Sequence, residues 1–198
     1  MRVGRAFHRL ARGLLQRVYG FDRWHVGHAG ETYGVDIVRY LNARPEADRH
    51  AVVEIGCGLG DIIRRLRFQR RLGLDRDPGA VAAARMLARF QRGAGLRFDV
   101  FEFPGGPLPA DYNAIIMVNW IHEIEPARLR QAVHACFADH LRAGGCLILD
   151  TVRDSAYTYN HDVRTLAPPE ATVDRLGQYP RGRDVWAVRK RQLVYRSP

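Results

Sequence analysis

From residue 50 onward, short apolar runs alternate with longer stretches in which apolar residues recur every three or four positions. The runs fall at 51–55 (AVVEI), 72–75 (LGLD), 96–98, 114–118 (AIIMV) and 146–152 (CLILDTV), and their unbroken apolar character is that of strands buried on both faces. Between them, 61–69, 78–91 and 127–141 are long enough for helices, and Pro78 and Pro126 stand where a helix begins. Strands alternating with helices predict an α/β fold, a doubly wound and mostly parallel sheet covered on both sides. The rhythm breaks near the end. Segments 172–178 and 185–195 are strand-like and are separated by the turn-rich YPRGRD of 179–184, which predicts a C-terminal antiparallel hairpin at the sheet edge.

Ahead of this core, Val3, Phe7, Leu10, Leu14 and Val18 recur at three and four, while Arg2, Arg5, Arg9, Arg12 and Arg17 take other positions. That is a basic amphipathic helix. It is expected to pack its stripe on the domain; the competing reading is peripheral contact with a membrane surface. Phe21, Trp24, His25, His28 and Tyr33 follow among Gly20, Gly27, Gly30 and Gly34, and 35–41 regains helical spacing before Pro45. The expected organisation is one domain, 1–198, with a helical cap over 1–49 on a Rossmann-like core over 50–198. The cap is expected to roof the cleft above the carboxyl ends of the strands.

Net charge is +10, yet of the 31 basic residues only Lys190 is lysine, and the arginines are scattered through the chain. Scattered charge is a solvated surface more often than a nucleic-acid footprint, so a nucleic-acid partner is not the favoured reading. Cys57, Cys136 and Cys146 share no metal-ligand spacing and read as small buried residues in a reducing, cytoplasmic setting. No metal is expected. No apolar run approaches the roughly 18 residues that span a bilayer.

The strongest chemical signal is Glu54-Ile55-Gly56-Cys57-Gly58-Leu59-Gly60-Asp61, between the first strand and the segment after it. Its glycines let the backbone turn sharply and let a ligand approach the main chain. The third glycine comes one place too early for a dinucleotide fingerprint, and a carboxylate at Glu54 would repel phosphate. Asp75 ends the second run, where a carboxylate can accept two hydrogen bonds from a ribose diol.

These residues resemble the class I S-adenosylmethionine-dependent methyltransferases, whose first motif is an acidic residue followed by G-x-G-x-G. The resemblance covers roughly 50–152. It implies that Glu54, Gly56, Cys57, Gly58 and Gly60 approach the methionine part of S-adenosylmethionine and of its product S-adenosylhomocysteine. It further implies that Asp75 and Arg76 border the ribose, that Asp99 and Val100 meet the adenine, and that Asn119 touches the methionine portion. The LRAGG at 141–145 looks like the family's helix-to-strand turn, with Ala143 in place of proline.

The acceptor is argued from chemistry. Methyl transfer needs a positioned nucleophile and, for a hydroxyl, removal of a proton. His122, His161 and His25 are the candidate bases, in that order, and Trp24, Tyr33, Trp120, Tyr157 and Tyr159 the candidate acceptor contacts. The expected activity is methylation of a small molecule, with oxygen somewhat ahead of nitrogen because a histidine base helps a hydroxyl most. An RNA or protein methyltransferase, or a cofactor-binding protein without activity, are the alternatives. Oligomeric state is open.

Overall fold

The structure, a computed structural model, describes residues 2–27, 32–89, 95–106, 108 and 111–191, with side chains from residue 10 onward. The side chains of Val3 and Phe7 lie outside the described residues, as do His28, Gly30 and positions 90–91 and 192–195 of two expected elements.

Three helical segments come first: α1 (Arg2–Tyr19), the single turn α2 (Trp24–Gly27) and α3 (Thr32–Asn42). Then follow β1 (Ala51–Ile55), β2 (Arg70–Asp75), α4 (Pro78–Ala88), β3 (Leu96–Val100), β4 (Tyr112–Met117), α5 (Pro126–Ala135) and β5 (Leu141–Thr151). The short helix α6 (Val163–Leu166) precedes β6 (Thr172–Tyr179) and β7 (Arg183–Arg189). The strands form one sheet in the order β3-β2-β1-β4-β5-β7-β6. β1 to β5 run parallel, while β7 inserts antiparallel between β5 and β6.

The apolar runs become strands because neighbouring residues face opposite cores. Val52, Ile116 and Ile148 pack with Ile37 and Leu41 of α3 and Val81 of α4, whereas Val53, Ile115 and Leu147 pack with Leu129 and Val133 of α5 and Val163 of α6. Asp77 starts α4 by accepting from Gly79 N and Ala80 N, and Glu125 starts α5 by accepting from Ala127 N and Arg128 N. Each cap is followed by proline, whose missing N–H costs nothing at a helix start.

Three expectations are corrected. The helix expected over 61–69 is instead a turn with one 3-10 segment, Ile63–Arg65, and β2 begins at Arg70. Leu66 and Phe68 are both buried at alternate positions, a period that extends the chain rather than coiling it. Leu141-Arg142-Ala143-Gly144-Gly145 lies within the start of β5, following a π-turn over Cys136–His140.

The third correction concerns α1. Leu10, Leu14 and Val18 are 71%, 62% and 75% exposed, so the apolar stripe points away from the core. The opposite face packs: Leu15 and Tyr19 join Phe21, Leu59, Ala80 and Ala83. Arg12, only 8% exposed, reaches the glycine loop.

Candidate active site

At the carboxyl ends of β1, β2 and β4 lies a cavity of about 940 Å³, at the upper end of the ~300–1,000 Å³ usual for small-molecule sites. Its floor is the loop after β1. Gly56, Gly58 and Gly60 have φ of +73°, +51° and +75°, conformations that side chains resist. A Cβ on Gly56 would also strike the Trp120 indole, and one on Gly58 the His25 ring. Gly60 serves packing: a Cβ there would strike Phe98 of β3, and Gly60 is not among the cavity-lining residues.

Glu54 is 4% exposed and accepts a 2.8 Å hydrogen bond from Ile63 N. Burial, with help from Asp61 and Asp75, pushes its pKa up to about 8. A carboxyl so placed gains charge readily only when a cation arrives beside it. Cys57 is buried, and burial pushes its thiol well above the ordinary range. Asp75 accepts from Gly58 N at 2.7 Å and from Asp77 N at 3.0 Å. Two backbone donors fix the carboxylate while leaving acceptor capacity for a diol. Arg76 borders the same space and pairs at 3.6 Å with Glu123.

The adenine expectation is corrected. Asp99 and Val100 are exposed and do not line the cavity; Asp99 is held at 2.9 Å by Arg85 of α4. Phe98 points inward, so its neighbour must point outward. The residues of this strand end that reach the cavity are Phe101 and Glu102.

Beyond Asn119 the cavity is walled by Trp120, Glu123, Glu125, Tyr157 and Tyr159. Asn119 has φ +75° and gives its N–H to Asp150 at 2.9 Å. Trp120 donates its indole N–H to Ile55 O at 2.7 Å, so its ring spans from the glycine loop to this far end.

The histidines are not placed as open bases. His122 borders the cavity but is 1% exposed. Its Nε2 lies 3.2 Å from Asp150, and its Nδ1 is buried with the ring packed against Tyr157. Burial, then Arg183, lower its pKa to about 4, so His122 is neutral and donates Nε2–H to Asp150. His161 is outside the cavity and donates from Nε2 to Ile121 O at 3.0 Å, and burial lowers its pKa. His25 lies over Gly58, its Nε2 4.0 Å from Asp77. That is the glycine-loop end, away from Tyr157 and Tyr159.

Two residues escaped the sequence reading as parts of this site. Arg183, at the start of β7, forms an ion pair with the fully buried Asp150, donates to the Tyr157 hydroxyl at 2.9 Å, and lies 5.2 Å from the Tyr33 ring. Arg12 donates to both oxygens of Asp61 at 2.6 and 2.5 Å and to His25 O at 3.1 Å. With Trp24, His25 and Tyr33 it brings the N-terminal segment into the cavity wall. Nothing local in the sequence marks Arg12 or Arg183, because they act through partners 49 and 33 positions away.

Residues 53–147 match the family model for a methyltransferase domain. The fold is similar to that of an N-methyltransferase, NodS of Bradyrhizobium japonicum WM9, solved with S-adenosylhomocysteine: TM-score 0.66 and 16% identity over 90% of this chain and 97% of that one. It is also similar to CalS10 of Micromonospora echinaspora, an amino pentose methyltransferase solved with S-adenosylmethionine, with TM-score 0.64 and 18% identity over 87% and 96% of the two chains. An O-methyltransferase family protein of Burkholderia thailandensis gives TM-score 0.59 and 14% identity over 81% and 57%. No curated protein matches the chain by sequence.

Fold and motif together are those of the class I methyltransferases. Residues 53–147 of the chain carry a methyltransferase domain.

Proposed function

We propose that this enzyme methylates a small molecule, with S-adenosylmethionine along the loop 54–60 and the acceptor at the end walled by Trp120, Tyr157 and Tyr159. The cofactor supplies an electrophilic methyl group on a sulfonium. On this reading Glu54 receives its ammonium end, Asp75 its ribose diol, Phe101 and Glu102 flank its adenine, and Asn119 borders the methionine portion. The chain's own fit supports this. The glycines leave open backbone, Asp75 is a pinned carboxylate, and Glu54 is a buried acid that a cation would ionise.

The observation that carries the small-molecule reading is the cavity itself. It is enclosed on one side by Arg12, Trp24, His25 and Tyr33, and it is lined by eight acidic side chains, of which Glu54 is held protonated, against four guanidinium groups. A polynucleotide would meet repulsion there despite the +10 net charge of the chain. The expectation of an oxygen acceptor rested on an open histidine base, so it is not carried further. Release of S-adenosylhomocysteine from S-adenosylmethionine, screened against hydroxylated sugars, phenols and amines, tests the proposal. Turnover with one of these classes is expected; turnover confined to RNA or protein would contradict it.

A further inference from the structure

Resting on that reading, we propose that the acceptor is a cationic small-molecule amine, bound in the cavity by the carboxylates of Glu123 and Glu125 and the aromatic faces of Trp120 and Tyr159. Three independent features lead there.

The first is charge. The chain as a whole is strongly basic, yet acidic side chains outnumber guanidinium groups two to one around the cavity. Among the carboxylates are Glu123 and Glu125, which flank Ile124 where the chain enters α5. Glu125 is pinned by two backbone N–H groups at 2.9 Å each, which hold its carboxyl below the usual range and therefore ionised. Three cationic groups stand near, of which Arg128, exposed in the first turn of α5, also lines the cavity. Arg76 is exposed and paired with Glu123, and Arg183 is neutralised by Asp150 behind Tyr157. A cleft of one sign in low-dielectric walls concentrates ligands of the other sign.

The second is the wall. Trp120 and Tyr159 line the cavity, with Phe103 edge-on to Trp120 at 5.5 Å. Aromatic faces beside carboxylates attract ammonium groups. The ring of Tyr157 already has Arg181 at 5.4 Å and Arg183 at 5.9 Å, so it is a support of the pocket and not its cation face.

The third is the missing base. Neither nitrogen of His122 is open to the cavity, His161 lies outside it, and His25 sits on the glycine loop. A hydroxyl with an ordinary high pKa would have no histidine to take its proton and only weakly basic carboxylates beside it, whereas an amine carries its own nucleophilic lone pair once it has lost a proton to water. The step balances without a base. The nitrogen lone pair forms the N–C bond, the S–C pair stays on sulfur as the thioether forms, and the surplus N–H proton leaves to solvent.

The test uses three compounds of one shape: cyclohexylamine, cationic at neutral pH, cyclohexanol, which is neutral, and cyclohexanecarboxylate, an anion. Each is titrated calorimetrically into the full-length protein saturated with S-adenosylhomocysteine, which fills the cofactor end and carries no sulfonium. The amine is expected to bind at least tenfold more tightly than the alcohol and the anion not at all. Glu123→Gln with Glu125→Gln, both at exposed positions, should erase that preference while the variant still melts cooperatively and binds S-adenosylhomocysteine, at a melting temperature lowered by the weakened cap of α5. Equal or tighter binding of the alcohol, no binding of the amine, or a preference surviving in the double variant overturns the proposal alone. Failure to bind S-adenosylhomocysteine would instead overturn the reading it rests on.

Discussion

Glu54 and His122 are buried groups whose ordinary charge the fold opposes, and each leaves a pH signature. The folded-state pKa of Glu54 is raised from 4.5 to about 8, so between those values the folded protein keeps a proton that the unfolded chain has released. Stability therefore falls as pH rises through that window. Glu54→Gln keeps an acceptor for Ile63 N and is expected to match wild type near pH 4 but exceed it by up to about 4 kcal/mol at pH 9 without ligand. Urea melts at the two pH values check this. For His122 the shift is downward, from 6.5 to about 4. Its contribution is intact above pH 6.5 and is lost as pH falls towards 4, and kcat/KM should show no inflection near 6.5. The third residue-scale prediction is Arg183→Met. It strands Asp150, which has no exposure, and should cost roughly 3–5 kcal/mol in denaturant unfolding.

At the scale of elements, α1 is the segment whose role departs most from its pattern. The described part of its apolar stripe, Leu10, Leu14 and Val18, is exposed, Leu15 and Tyr19 are partly buried in the cluster beneath it, and Arg12 on Asp61 ties it to the site. Leu14→Glu is accordingly expected to change stability by less than about 0.5 kcal/mol in thermal melts. Arg12→Ala should weaken S-adenosylhomocysteine binding about tenfold, roughly 1.4 kcal/mol, because the glycine loop loses its clamp. The parallel strands were legible because burial on both faces makes them apolar throughout, and α4 and α5 because acid-then-proline starts announce them. The 61–69 segment misled because its length suits a helix while Leu66 and Phe68 follow a strand period. The amphipathic stripe misled because periodicity reports that a helix has two faces, not which one the core takes. Among the residues lining the cavity, Glu54 to Gly58, Asp75 and Asn119 were marked by local spacing. Asp99 was misread because the outward face of an edge strand carries acids as readily as a binding end does. Arg12, Arg183 and the sequestration of His122 depend on tertiary contacts that no local pattern encodes.

The whole molecule sets a basic exterior around an acidic cavity, and that inversion separates general charge from function. RNA binding is expected to be weak and to vanish steeply with added salt, with no competition against S-adenosylhomocysteine, since scattered arginines contact phosphates without a site. The α/β core brings the ends of β1, β2 and β4 together, the N-terminal segment closes one side, and the 156–159 loop closes the other. The central claim is that this one cavity holds S-adenosylmethionine through the loop after β1 and the carboxylate ending β2. The most direct measurement is calorimetric titration of S-adenosylhomocysteine into wild type, Asp75→Ala and the milder Asp75→Asn, with melting curves showing each to be folded. The account predicts one site per chain in wild type and affinity at least tenfold weaker in both variants. No heat with wild type at millimolar ligand, or equal affinity in folded Asp75 variants, would contradict it.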